Sequence, residues 1–287
     1  MAFMAAMKGG DHLDRLKPLT KKFHPALQLS HAKIVFFCFG AVRTPCIGRP
    51  FLLLSPLIIT RFGNEAVGSF LEPHRRMYTL YSMQRSGNSY KVRLALAQLE
   101  IPHNLVEVDI LKGESHTPDF LAKNPNGQVP LLEIESGHHL AESNAILWFL
   151  AEGTPLTGHT PIEHARVLQW MFFEQHAIVP NIGAAYFWLC LVKGGRDLQR
   201  HALDDWMEEG TRSLSILDKH IAKHPYFAGD RFTIADIAIY SYTHLAEQSD
   251  FDLSPFSALR EWHSRVEAQP RFVPMEVPRI PLQLAAE

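Results

Sequence analysis

From position 77 onward, apolar and polar residues recur with a period of two in some stretches and about 3.6 in others. "MYTLYSM" alternates and is rich in aromatic residues, which predicts a strand over 78–82. After it, Val92, Ala95, Leu96 and Leu99 recur at i, i+3, i+4 and i+7, predicting a helix over 88–99 with one apolar face. The same reading gives a strand over 104–109, a short helix opened by "HTPDF", a strand over 129–134, a hairpin turn at "ESGHH", another strand and a helix over 142–152. That order, βαβ then helix then ββα, predicts a four-stranded mixed sheet with helices on its faces.

After "GTPLTGHTP" the strand signals stop, and helical patterns cover 163–192, 198–222, 233–248 and 255–268. The fold class is therefore α+β, with an all-α second half. Pro180 is expected to kink the first of these helices and widen any cleft beside it. In "FTIADI", Thr233 and Asp236 have capping-box spacing, with Phe232 and Ile237 placed for a hydrophobic staple. That motif is expected to be purely structural.

The first 76 residues lack this periodicity. They hold eleven Lys/Arg against four acids, a net of +7, and two apolar runs interrupted by Arg43, Pro45, Arg49 and Pro50. Neither run reaches the roughly 20 residues needed to cross a bilayer, and the first begins too late for a secretory signal. Residues 1–76 are expected to form an atypical, poorly structured extension, with the functional body starting at Met77. The remainder carries 17 basic and 26 acidic residues, a net of −9, which argues against nucleic acid and towards small molecules or proteins as partners.

The three cysteines, Cys38, Cys46 and Cys190, show neither CxxC nor metal-ligand spacing, which fits a reducing compartment. Cys190, beside Trp188 and Leu191 in an apolar run, is expected to be an inert core thiol. His138-His139 is read as part of the hairpin turn, and no metal site is expected.

Three stretches carry candidate chemistry. In "QRSGNSYKV", four small polar residues, Ser86 to Ser89, separate strand from helix, where the first backbone N–H groups and the positive helix end face an approaching anion. Plain helix capping is the alternative. In "NPNGQVPLLEIE", Pro130 enters a strand behind Val129; a cis bond there would turn the Val129 N–H and C=O outward to pair with an extended peptide. A trans proline at the first strand position is the commoner case. In "HLAESNAILWFL", Glu142-Ser143 open a helix whose Ile146, Phe149 and Leu150 face inward; its N–H groups and hydroxyl suit a carboxylate, and Glu142 an ammonium. The pair could grip an amino-acid zwitterion, or simply start a helix well.

In this order, "LYSMQRSGNSYKVRLAL", "NPNGQVPLLE", "LAESNAIL" and "FTIADIAIY" resemble the glutathione transferase family over roughly 77–268, especially bacterial cytosolic members with Ser or Thr instead of Tyr in the first turn. The resemblance implies a thioredoxin-like domain (βαβαββα) over 77–154, joined to an all-α domain over 159–287 that carries the acceptor site, in a cytoplasmic homodimer off the membrane. It implies glutathione as co-substrate, with a small hydrophobic electrophile or a disulfide as the other partner. Ser86 matches the residue that hydrogen-bonds the glutathione sulfur, and Asn88 an amide used likewise. Val129 matches the residue pairing with the cysteinyl backbone, Pro130 the cis-proline, Glu142 and Ser143 the γ-glutamyl grip, and Gln128 and Ser115 positions that hold the glycyl end. Tyr186 and Trp188 are candidate walls of the acceptor site, with ordinary core packing as the alternative.

A free thiol titrates near 8.5, and the thiolate is the nucleophile, so donors in the turn would activate it by stabilising the anion. Cysteine is absent from this turn, which argues against exchange through the protein's own sulfur. Conjugation, or reduction of a disulfide or peroxide by bound glutathione, is what the resemblance leaves. A protein-binding scaffold of the same fold is the alternative.

Overall fold

The protein's structure, a computed structural model, describes residues 77–135 and 137–275. The expectations for 1–76, for Cys38 and Cys46 and for residues past 275 lie outside the described residues.

Strand β1 (Tyr78–Ser82) is central and alternates as its sequence does, with Tyr78, Leu80 and Ser82 buried. It pairs in parallel with β2 (His103–Glu107) and antiparallel with β3 (Leu131–Glu135), which pairs antiparallel with β4 (His138–Ala141). The sheet order is β2-β1-β3-β4. Helix α1 (Gly87–Gln98) makes the crossover, the short α2 (Pro118–Leu121) follows β2, and α3 (Ser143–Ala151) follows β4. The half is thioredoxin-like, a mixed four-stranded sheet with helices, as the resemblance implies.

The ends of several elements differ from expectation for local reasons. β2 stops at Glu107, because Asp109 leaves the strand to accept hydrogen bonds at Oδ1 from the N–H groups of Leu111 (3.0 Å) and Lys112 (3.3 Å) in a short helical turn, Ile110–Lys112. β3 begins at Leu131, past the proline that cannot donate to a ladder. His138 and His139 are not in the hairpin turn but on β4, opposite Glu135 and Glu133 across a register shift.

The second half is helical. It comprises α4 (Pro161–Phe173), a stretch wound i→i+5 over Glu174–Gly183, the turn α5 (Ala184–Tyr186), a second wide stretch Phe187–Leu191, α6 (Gly195–Leu198), α7 (Leu203–Ile221), α8 (Ile234–Thr243) and α9 (Ser257–Glu267). Pro180 lies inside the first wide stretch, a winding that tolerates a missing N–H. The helix predicted over 198–222 breaks near Gln199 and restarts at Leu203, where Asp204 and Asp205 favour a helix N-terminus. The Thr233/Asp236 capping box forms, and Asp236 also accepts from the Phe227 N–H and Trp262 Nε1, both at 3.1 Å.

α1 buries two faces where one was expected. Val92 and Leu96 pack on the sheet, while Tyr90, Leu94 and Ala95 pack against the helical half. The two halves share α1 as a common wall. Among the described residues, no helix is long and apolar enough to cross a membrane.

Candidate functional site

The turn between β1 and α1 is closed by its serines. The Ser86 N–H donates to the Met83 C=O at 3.0 Å, Ser89 Oγ accepts from the Met83 N–H at 3.3 Å, and Ser86 Oγ accepts from the Ser89 N–H at 3.2 Å. Arg93 straps the turn from α1, donating to Ser82 Oγ and to the Gln84 C=O, both at 2.8 Å. Ser86 is thus the N-cap of α1. Capping uses only a lone pair on its oxygen, so the hydroxyl proton remains to be donated elsewhere.

Ser86 and Asn88 line a cleft of 560 Å³ between the sheet half and the helical half. Ser115, Gln128, Val129, Pro130, Glu142 and Ser143 line the same cleft, so the structure brings all eight sequence candidates together. The Val129-Pro130 bond is cis, and Val129 lies outside the paired register that begins at Leu131. Glu142 has φ 68°, a left-handed value that a non-glycine residue holds only where its surroundings impose it. Ser115 is buried with its Oγ 3.1 Å from His116 Nδ1, so its hydroxyl is already engaged. Gln128 sits at the open lip, its C=O accepting from Asn124 Nδ2 at 2.8 Å.

Asn88 and Ser143 are coupled. Ser143 Oγ donates to Asn88 Oδ1 at 3.3 Å, which orients the Asn88 amide with its Nδ2 free to donate. Behind them, Lys91 Nζ donates to Ser143 Oγ at 3.3 Å and lies 2.8 Å from Glu174 Oε1, while Glu174 Oε2 accepts from Asn144 Nδ2 at 3.0 Å. Burial pushes the Lys91 ammonium below its ordinary range, and Glu174 and then Glu142 pull against it.

Sequence reasoning missed this buried pair, although a lysine on a helix flanked by apolar residues and a glutamate inside "WMFFEQHAIV" were the signals. It also missed Tyr242, which gave no local signal. Burial pushes the Tyr242 phenol up, and the Asn88 backbone N–H works against that shift. A Cβ on Gly87 would stand 2.6 Å from Tyr242 Cε1, so glycine is required there for close approach. Tyr186 and Trp188 line the cleft, as does Arg85. Cys190 is half-buried and donates its thiol to the Gln248 C=O at 3.1 Å; burial pushes its pKa up. Among the described residues, no three His, Cys, Asp or Glu side chains gather as a metal site.

Residues 77–152 match the family model for the glutathione S-transferase N-terminal domain and residues 181–270 that for the C-terminal domain. Glutathione S-transferase GstB of Escherichia coli is 31% identical over 198 residues, covering 68% of this chain and 95% of that protein. The chain belongs to the glutathione S-transferase family. A second family-level relative, the disulfide-bond oxidoreductase YfcG of E. coli, is 30% identical over 190 residues, covering 64% of this chain and 87% of YfcG. Among solved structures, a possible glutathione S-transferase from Rhodopseudomonas palustris is 64% identical with a TM-score of 0.68, covering 71% of this chain and 92% of that one. Within this family fold, the cleft occupies the junction of the two halves.

Proposed function

We propose that the cleft binds glutathione and holds its sulfur as a thiolate for attack on an electrophile, with reduction of a disulfide as the related reaction. The observation that carries this reading is the state of Ser86: its oxygen is committed to the α1 cap, its proton is uncommitted, and the Asn88 amide faces the same cleft. Both donors stand at a helix N-terminus, where an anion is favoured. Each unit by which the thiol pKa falls corresponds to about 1.4 kcal/mol of preference for the thiolate.

In this reading, Val129, beside Pro130, pairs its backbone with the cysteinyl residue. Glu142 takes the γ-glutamyl ammonium and Ser143 its carboxylate through the α3 N-terminus. Gln128 and Ser115 lie towards the glycyl end, where His116 and Asn124, which also line the cleft, join them. Ser86 is a donor to the substrate's sulfur and is not itself a nucleophile. The likeness to YfcG supports disulfide chemistry on the same site, with glutathione supplying the sulfur because the turn has none. A glutathione-rich cytoplasm and a homodimeric assembly complete the proposal.

Calorimetric titration of the full chain with glutathione tests the binding half of this reading. Saturable binding, weakened about tenfold in Glu142→Gln by loss of a charge-assisted hydrogen bond, supports it. Absence of binding contradicts it and favours a protein-binding module on the same fold.

A further inference from the structure

One charged group of the cleft has no task in glutathione binding as proposed. Arg85 precedes Ser86, and its side chain reaches across to the helical half, where Nη2 donates to the Cys190 C=O at 2.7 Å. Among the described residues, no carboxylate pairs with its guanidinium, and its Nε is buried without a hydrogen-bond partner.

A second unsatisfied donor stands beside it. Tyr186 is 1% exposed and lines the cleft, yet its hydroxyl completes no hydrogen bond of proper geometry among the described residues. Arg85 and Tyr186 line the same cleft; burial pushes the phenol up to about 12, and the Arg85 guanidinium works against that shift. Phe187, Trp188 and Leu191 supply the adjoining wall.

A half-buried cation without a counter-ion, next to a buried hydroxyl without an acceptor, leaves the Arg85 Nε proton and the Tyr186 hydroxyl proton without an acceptor among the described residues. A planar anion satisfies both, since guanidinium forks match carboxylates. The γ-glutamyl and glycyl carboxylates of glutathione are assigned to the sheet side, at Ser143 and near Gln128, so this anion belongs to the other substrate. Resting on the transferase reading above, we infer that the acceptor is an electrophile carrying a carboxylate on a flat apolar body, with Arg85 and Tyr186 taking the carboxylate and the aromatic wall taking the body.

The test reaction is aromatic substitution on 4-chloro-3-nitrobenzoate. The glutathione sulfur bonds to the chlorine-bearing carbon, chloride leaves with the electron pair of the broken C–Cl bond, and the thiol proton goes to solvent. Its methyl ester has the same reacting centre without the charge.

The experiment compares acid and ester on the full chain at saturating glutathione. The acid's KM is expected about tenfold below the ester's. Arg85→Gln should abolish that ratio and Tyr186→Phe should narrow it, a change that thiol activation alone, common to both substrates, cannot produce. An ester favoured equally by the wild type, or a ratio untouched in Arg85→Gln, overturns the inference. Tyr186→Phe, which removes only a hydroxyl without an acceptor, serves if Arg85→Gln fails to fold.

Direct titration with 3-nitrobenzoate and its methyl ester, which serve as binding probes, separates this inference from the reading beneath it. Arg85-dependent binding of 3-nitrobenzoate without turnover of either substrate overturns the transferase reading and upholds the anion site. Turnover of acid and ester alike, indifferent to Arg85, does the reverse.

Discussion

Lys91 Nζ stands 2.8 Å from Glu174 Oε1 with neither side chain exposed to solvent. The lysine comes from α1 and the glutamate from the wide-wound stretch that begins the cleft's helical wall, so the ion pair fastens the two halves directly beneath Ser143. Breaking such a pair from one side leaves a buried charge uncompensated, at a cost of about 3–5 kcal/mol. Lys91→Met is therefore expected to lower the urea midpoint sharply. Lys91→Met with Glu174→Gln should recover most of the loss, because no naked charge then remains. A double variant no better than the single would show that the ammonium acts through Ser143 alone.

Gly87 lets the α1 N-terminus close on the Tyr242 ring, which Gly183 flanks so closely that a Cβ there would stand 3.2 Å from the ring. Gly87→Ala must displace a buried aromatic ring, with an expected loss of about 1–3 kcal/mol. Because Gly87, Asn88 and Tyr242 line the same cleft, glutathione affinity should fall with it. Unchanged stability would mean that the ring yields freely.

Glu142 holds φ 68°, a conformation costing about 1–3 kcal/mol for a residue with a side chain. Glu142→Gly is expected to leave unfolding free energy unchanged or higher while weakening glutathione binding about tenfold. Stability lost together with binding would show that Glu142 serves the fold more than the ligand.

Two histidines of the helical half, His263 buried and His244 half-buried, set the response to acid. Burial pushes His244 down to about 4 and His263 down to about 3. Below about 6.5 the unfolded chain binds protons that the folded chain refuses, so stability is full above that pH and falls as the pH drops towards 4. Asp236, pushed up to about 6 by burial, opposes this in part, since the folded chain protonates it first. The net expectation is a loss of about 2 kcal/mol between pH 7 and pH 5, read by urea unfolding at each pH. A flat or rising profile would contradict the neutral state of both rings.

The sequence made the architecture legible where one periodicity ruled an element. β1 alternates because one face is buried, and the Thr233/Asp236 box forms because its spacing is local. Element ends were less legible, since Asp109 could cap a turn or prolong a strand and nothing in the sequence decides between them. Seven of the eight candidates share one cleft because three motifs each lie at the end of an element facing the same edge, and Ser115 joins them from the short turn Glu114–His116. What stayed hidden depends on distant partners. Lys91 reads as a solvated residue until Glu174 is brought to it, and Tyr242 as core until α8 is laid against Gly87. Arg85 lay inside the motif, but its significance is the absence of a carboxylate among the described residues, which only the fold reveals.

The most direct measurement is an ultraviolet difference titration of glutathione bound to the full chain, beside Ser86→Ala. The expected result is a thiolate band that persists well below the free thiol's pKa of about 8.5 and recedes in the variant. Bound glutathione with an unshifted thiol, the same in both proteins, would contradict it.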